Sequence, residues 1–109
     1  MDIETRLHPR ISVDWHAVIK ILEGSIEVKT KNISLGGACI LCPAGYEFEK
    51  RFSISLNPPG AKSIRVIAEK VWSDKSKFEN TMMFKIGVRF LAISPEDQQF
   101  IETFVEKEK

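Results

Sequence analysis

A chain of 109 residues with 43% apolar and 28% charged content reads as one soluble domain, long enough to bury a modest core without disulfide or metal staples. Sixteen Lys and Arg against fifteen Asp and Glu leave a net charge of +1, which excludes a global field drawing the chain to nucleic acid or an anionic membrane. No apolar run approaches the ~20 residues that span a bilayer. The acidic opening Met1-Asp2-Ile3-Glu4-Thr5 lacks a signal peptide's apolar segment, so a cytoplasmic location is expected.

Residues 1 to 10 read as a charged arm in which Pro9 interrupts any helix. Arg6 and Arg10 stand four residues apart in it, and on their own they fit a solvated basic arm paired with Asp2 and Glu4. From Ile11 the pattern becomes alternation: Ile11, Val13, Trp15, Ala17, Ile19 and Ile21 share one face of a strand, and Ser12, Asp14, His16 and Lys20 take most of the other. Glu23-Gly24 makes a tight reversal. Ile26, Val28 and Thr30 then alternate with Glu27, Lys29 and Lys31 in a second strand.

Asn32-Ile33-Ser34-Leu35-Gly36-Gly37 follows, between two apparent strands. Asn32 carries an amide that both donates and accepts, and Ser34 adds a hydroxyl. Gly36 and Gly37 tolerate positive φ and allow a ligand close to the backbone. The same residue types also build ordinary hairpin corners, so the segment alone leaves both possibilities open.

Ala38 to Leu41 reads as a third, more fully buried strand, with Cys39 and Cys42 three residues apart. Residues at that spacing on a strand face opposite ways. Only His8 and His16 could complete a zinc site, at no familiar spacing, so both cysteines are expected as small core residues without metal or redox chemistry. Phe52, Ile54 and Leu56 mark a fourth strand, ended by Asn57-Pro58-Pro59-Gly60. Ser63 to Trp72 reads as a fifth, with a bulge expected near Lys70, which falls on the apolar face. Ser73 to Thr81 reads as a polar loop, and Phe84, Ile86, Val88 and Phe90 give a sixth strand.

The period then changes. Ser94-Pro95-Glu96-Asp97 supplies a cap hydroxyl, a proline at the first helical position and a carboxylate at the third. Phe100, Ile101, Phe104 and Val105 recur at helical spacing, which predicts an amphipathic helix of about three turns packed over the sheet. Six alternating strands and one terminal helix imply an antiparallel barrel or sandwich.

Arg-x-x-x-Arg at Arg6 and Arg10, followed by Asn-x-Ser-x-x-Gly at Asn32, Ser34 and Gly37, resembles the PilZ domain family. Gly87-Val88-Arg89-Phe90 resembles that family's last strand, so the likeness covers most of the chain. The resemblance selects a six-stranded antiparallel split barrel with a C-terminal helix. It implies a single domain over residues 1–109, with a flexible ligand-binding arm at 1–10, a barrel at 11–91 and a helix at 94–107. It also implies that the two motifs bind the bacterial second messenger cyclic di-GMP through Arg6, Arg10, Asn32, Ser34, Gly36 and Gly37. The family's aromatic at the end of the fifth strand corresponds to Trp72. Arg89, on the outward face of the last strand, and His8, inside the arginine motif, are further positions near such a site.

Arg suits this ligand, because its planar fork is bidentate to phosphate and its face stacks on a purine. Asn32 and Ser34 would read guanine edges and phosphate or sugar oxygens, and Gly37 would keep the surface flat. No triad and no phosphate loop of the NTPase type appears, so a binding protein without catalysis or cofactor is expected. Its signal would be ligand-induced ordering of the arm, which alters contacts with a downstream protein. A PilZ-like scaffold that binds no nucleotide is one alternative. A small-barrel nucleic-acid module is the other, but Lys and Arg are scattered and balanced by acids, so no polymer partner is expected.

Overall fold

The computed structural model describes residues 9–46 and 49–108. Six strands run in sequence, β1 (Ile11–Ile21), β2 (Gly24–Ile33), β3 (Gly37–Pro43), β4 (Arg51–Asn57), β5 (Ile64–Phe78) and β6 (Thr81–Ile93), followed by the helix α1 (Pro95–Glu108). Every neighbouring pair is antiparallel, and the order β1-β2-β3-β6-β5-β4 closes into a barrel. Closure is made where β4 returns to β1, from His16 opposite Asn57 to Ile19 opposite Ile54. The expected six-stranded barrel with a C-terminal helix is therefore what the chain forms.

Alternation builds the interior. Ala17, Ile19, Ile33, Ile40, Leu56 and Ala68 are wholly enclosed, and their strand neighbours face outward. Each large aliphatic side chain withdrawn from water contributes about 1.5–3 kcal/mol. Thr30 shares this core position on β2, and its Oγ1 has no hydrogen-bond partner among the described residues. Cys42 belongs to the same core. Cys39, three residues earlier, is also buried but lies on the outer side, facing the cavity described below.

The helix begins where the cap signals fall. Ser94 Oγ accepts from the backbone N–H of Asp97 at 3.1 Å, and the Ser94 carbonyl accepts from Gln98 at 2.9 Å. Glu96 and Asp97 place negative charge in the first turn, where the helix dipole favours it. Ile101 and Val105 enter the barrel's core, and the Phe104 ring meets Trp15 edge-on with centroids 5.2 Å apart.

One expectation is corrected. The stretch from Ser73 to Thr81 is not a loop: β5 continues to Phe78 and pairs with β6 as far as Phe78 opposite Thr81. The reversal is a two-residue turn at Glu79 and Asn80, both left-handed at φ 51° and 65°. Paired positive φ is the geometry of a type I′ hairpin, whose twist matches the strands it joins. The loop reading failed because Ser73, Asp74, Lys75 and Lys77 are all exposed. The described side chains at this end of β5 offer no buried face to generate alternation. The bulge anticipated near Lys70 falls between Lys70 and Trp72, leaving Val71 as the extra residue.

Candidate functional site

Cross-strand pairing aligns outward residues from four strands into a row. Asn32 of β2 is opposite Cys39 of β3, Cys39 is opposite Gly87 of β6, and Gly87 is opposite Trp72 of β5. A bulge at Lys31 resets the parity of β2, so that Lys31 and Asn32 both reach this outer surface. Over the row lies a concave pocket of about 580 Å³, lined by Arg10, Lys31, Asn32, Cys39, Leu41, Trp72 and Lys85.

Two of its walls are fixed. Arg10 Nη1 donates to Asn32 Oδ1 at 2.7 Å, which ties the end of the arm to β2. A guanidinium only donates, so this contact turns the Asn32 oxygen toward Arg10 and leaves its amide N–H₂ to donate elsewhere. On the other side the Trp72 indole lies across Gly87. A Cβ placed on Gly87 would come within 2.1 Å of Trp72 Nε1, so only glycine leaves room for the ring. The indole keeps 46% of its surface exposed, a large share for tryptophan and enough to present a face.

Cation placement is local, as a nearly neutral chain requires. Lys31 Nζ lies 3.4 Å from Asp14 Oδ1 and Lys29 Nζ 3.3 Å from the same oxygen. The Lys29 hydrogen bond and charge, followed by those of Lys31, hold the Asp14 carboxyl below its ordinary pKa. Burial pushes the Cys39 thiol up, while the charges of Lys85 and Arg10 oppose that rise. Cys39 is therefore a neutral, weakly polar floor with positive charge converging on it.

Ser34, Gly36 and Gly37 occupy the turn between β2 and β3 and are not among the residues lining this pocket. Ser34 N donates to the Gly37 carbonyl at 2.8 Å. Ser34 Oγ accepts from Gly36 N at 3.3 Å and lies 3.4 Å from the Gly37 carbonyl. The hydroxyl is thus engaged in holding its own turn. The Gly36 carbonyl accepts from Phe90 N at 2.9 Å, which ties the turn to β6. A Cβ on Gly37 would fall 2.4 Å from the Val88 carbonyl oxygen, so the missing side chain serves the close approach of β3 to β6.

A second outward row runs Gly37, Arg89, Glu69, Arg51. Arg89 Nη2 lies 2.7 Å from Glu69 Oε1, and Arg51 Nε 3.4 Å from Oε2. The Arg89 hydrogen bond, acting against burial, holds the Glu69 carboxyl below its ordinary pKa. Arg89 is therefore committed to Glu69 beside the pocket. Arg6 and His8 lie outside the described residues. Lys31, Cys39, Leu41, Lys85 and Gly87 were not anticipated at the site. Parity offers a signal for two of them, since Lys85 and Gly87 are two apart on one strand and must share a face. Among the described residues no cluster of three or more His, Cys, Asp or Glu is placed to hold a metal. No helix there is long and apolar enough to cross a membrane.

A closed six-stranded antiparallel barrel with a terminal helix thus carries the arginine-asparagine contact on its outer wall. The PilZ domain family's sequence pattern matches residues 4–107, and the chain belongs to that family. Its fold is similar to the Bacillus subtilis inhibitor of motility MotI/DgrA, at TM-score 0.79 and 18% identity, over 92% of this chain and 49% of that one. This chain thus spans about half of the Bacillus protein's length. The PilZ domain of Escherichia coli YcgR, solved with c-di-GMP, is similar at TM-score 0.72 and 19% identity, over 93% and 88% of the respective chains. PlzA of Borreliella burgdorferi, in complex with c-di-GMP, is similar at 0.67 and 10%, over 92% and 52%. No curated protein matches the sequence.

Proposed function

We propose that the pocket over Asn32, Cys39, Gly87 and Trp72 binds cyclic di-GMP, and that the chain is a receptor domain for this messenger. The observation that carries the reading is the 2.7 Å bond from Arg10 to Asn32, one residue from each motif, at the edge of a pocket walled by Trp72. Family membership and the c-di-GMP complexes of YcgR and PlzA support it.

The chemistry divides among the residues. Arg10 meets phosphate with a charge-assisted, bidentate fork. Guanine presents two acceptors, N7 and O6, on its outer edge. The Asn32 amide N–H₂, freed by the orientation that Arg10 imposes, donates to such acceptors. The exposed Trp72 face stacks on a base, a contact worth ~1–3 kcal/mol. Ser34, Gly36 and Gly37 hold the turn that aims Asn32. Arg6, four residues earlier in the sequence, supplies a second guanidinium. Nothing in this set activates water, so the messenger is bound and not hydrolysed.

The signal is carried by the arm. Residues 1 to 10 hold few apolar groups that would bury on their own. Arg6 and Arg10 gain phosphate partners only with ligand, and the ordered arm then presents a changed surface to a downstream protein. Calorimetric titration with cyclic di-GMP tests the reading. Saturable binding by the intact chain is expected, with a 10- to 150-fold loss in Arg10→Ala, the equivalent of one charge-assisted contact of ~1.5–3 kcal/mol. Equal affinity for both proteins would place the ligand elsewhere.

A further inference from the structure

Within the pocket the cations differ in what already holds them. Arg10 is bonded to Asn32, and Lys31 is drawn to Asp14. Lys85 projects from β6 into the same pocket, is exposed, and its ammonium makes no hydrogen bond or ion pair among the described residues. Its cross-strand neighbours are Leu41, which is apolar, and Asp74, which stands directly opposite on β5 with no ion pair to it among the described residues. A stem beside apolar Leu41 with the charged head in water is the ordinary posture of an exposed lysine, and it leaves the ammonium available to an anion entering the pocket.

Its position relative to Arg10 adds a second observation. Asn32, which holds Arg10, is opposite Cys39, and Lys85 sits diagonally from Cys39, two residues before Gly87. Diagonal neighbours in a sheet are ~7–8 Å apart, within reach of long side chains. The two cations therefore bracket Cys39 from opposite sides, and both act on its thiol. A cyclic dinucleotide carries two phosphodiesters on opposite sides of its ring. Arg10 and Lys85 flank the floor in the way such an anion needs.

We infer that Lys85 is a phosphate-binding residue of this site, taking the phosphodiester that Arg10 does not hold. The inference rests on the reading of the pocket as a cyclic di-GMP site. Lysine serves such a role as a compact point charge, without the geometric demand of arginine. Lys85→Gln keeps the stem and removes the charge, and because Lys85 is exposed the barrel's melting temperature should stay where it is.

The test is calorimetric titration of cyclic di-GMP into the intact chain, Lys85→Gln, Lys85→Arg and Lys31→Gln at two salt concentrations. The expected result is a 10- to 150-fold loss in Lys85→Gln. Most affinity should be retained in Lys85→Arg, and less than threefold should be lost in Lys31→Gln, whose charge Asp14 already offsets. The affinity of Lys85→Gln should also fall less steeply with salt, since one ionic contact is gone. If the intact chain binds and Lys85→Gln binds equally well, the role assigned to Lys85 is wrong and the site stands. If the intact chain does not bind, the site and the role of Lys85 fall together.

Discussion

Replacing Gly87 with alanine is the sharpest mechanical test of the pocket, because its effect is fixed by geometry. The added methyl would lie 2.1 Å from Trp72 Nε1 and 2.3 Å from Cε2, far inside contact distance. The backbone at Gly87 is clamped between β3 and β5, so the indole has to move. With the ring displaced the pocket loses its aromatic wall, and with it a stacking contact of ~1–3 kcal/mol. That corresponds to a loss in cyclic di-GMP affinity of about 5- to 150-fold. Titration calorimetry reads the affinity, and intrinsic fluorescence reads the ring. Trp15 is buried and serves as a constant background, whereas the half-exposed Trp72 should shift its emission. Trp72→Ala should weaken binding to a similar degree, and adding Gly87→Ala to it should cost little more, because the two changes remove one feature. A Gly87→Ala protein that shows a displaced indole yet binds as the unaltered chain does would refute the platform role of Trp72. Additive losses in the double variant would show that Gly87 acts by some other route.

Thr30→Val should raise the melting temperature, by the equivalent of about 1 kcal/mol, because it replaces a wholly buried hydroxyl that lacks a partner among the described residues with a methyl of the same shape; a lowered melting temperature would show that Oγ1 has a partner after all. Glu69 has a lowered folded-state pKa, set first by Arg89. Its contribution to stability is therefore fully present above the unfolded value of about 4.3 and fades as pH falls through the lower folded value. Melting curves at neutral pH and near pH 3 should show a larger drop for the unaltered chain than for Glu69→Gln, and equal drops would remove Glu69 from the account of acid sensitivity. Amide exchange over residues 2 to 10 should slow on adding cyclic di-GMP, since ordering costs ~1–2 kcal/mol per residue and only ligand contacts offset it; protection already complete before ligand is added would leave the proposed signal without a moving part.

How far the fold could be read from the sequence follows from which strands have two unlike faces. In β1 and β2 one face meets the core and the other meets water, and their alternation marked them as strands at once. In β3 Ala38 to Leu41 are all buried, because the outer face carries the pocket floor, so the run reads as apolar without parity. The outer part of β5 has the opposite problem: Ser73, Asp74, Lys75 and Lys77 are exposed whichever way they point, so the segment reads as a loop. Its turn is equally silent, since Glu79-Asn80 lacks the glycine that usually announces a type I′ reversal. Pattern detects burial contrast, and where contrast vanishes the strand has to be inferred from what pairs with it.

The pocket shows the same limit at the level of side chains. Motif spacing leads to Arg10 and Asn32, and the family resemblance leads to Trp72, but no local pattern brings Lys85 and Cys39 beside them. Those residues meet only because β6 pairs with β3 in one register, Gly87 opposite Cys39. One contributor is Gly37, where any side chain would collide with the Val88 carbonyl. The motif glycine thus serves the pocket at a distance. By letting β3 approach β6 it fixes which β6 residues face outward beside Cys39, and so places both the cation and the glycine under the indole. A Gly37 substitution would disturb the ligand pocket by moving strands, although Gly37 does not line it.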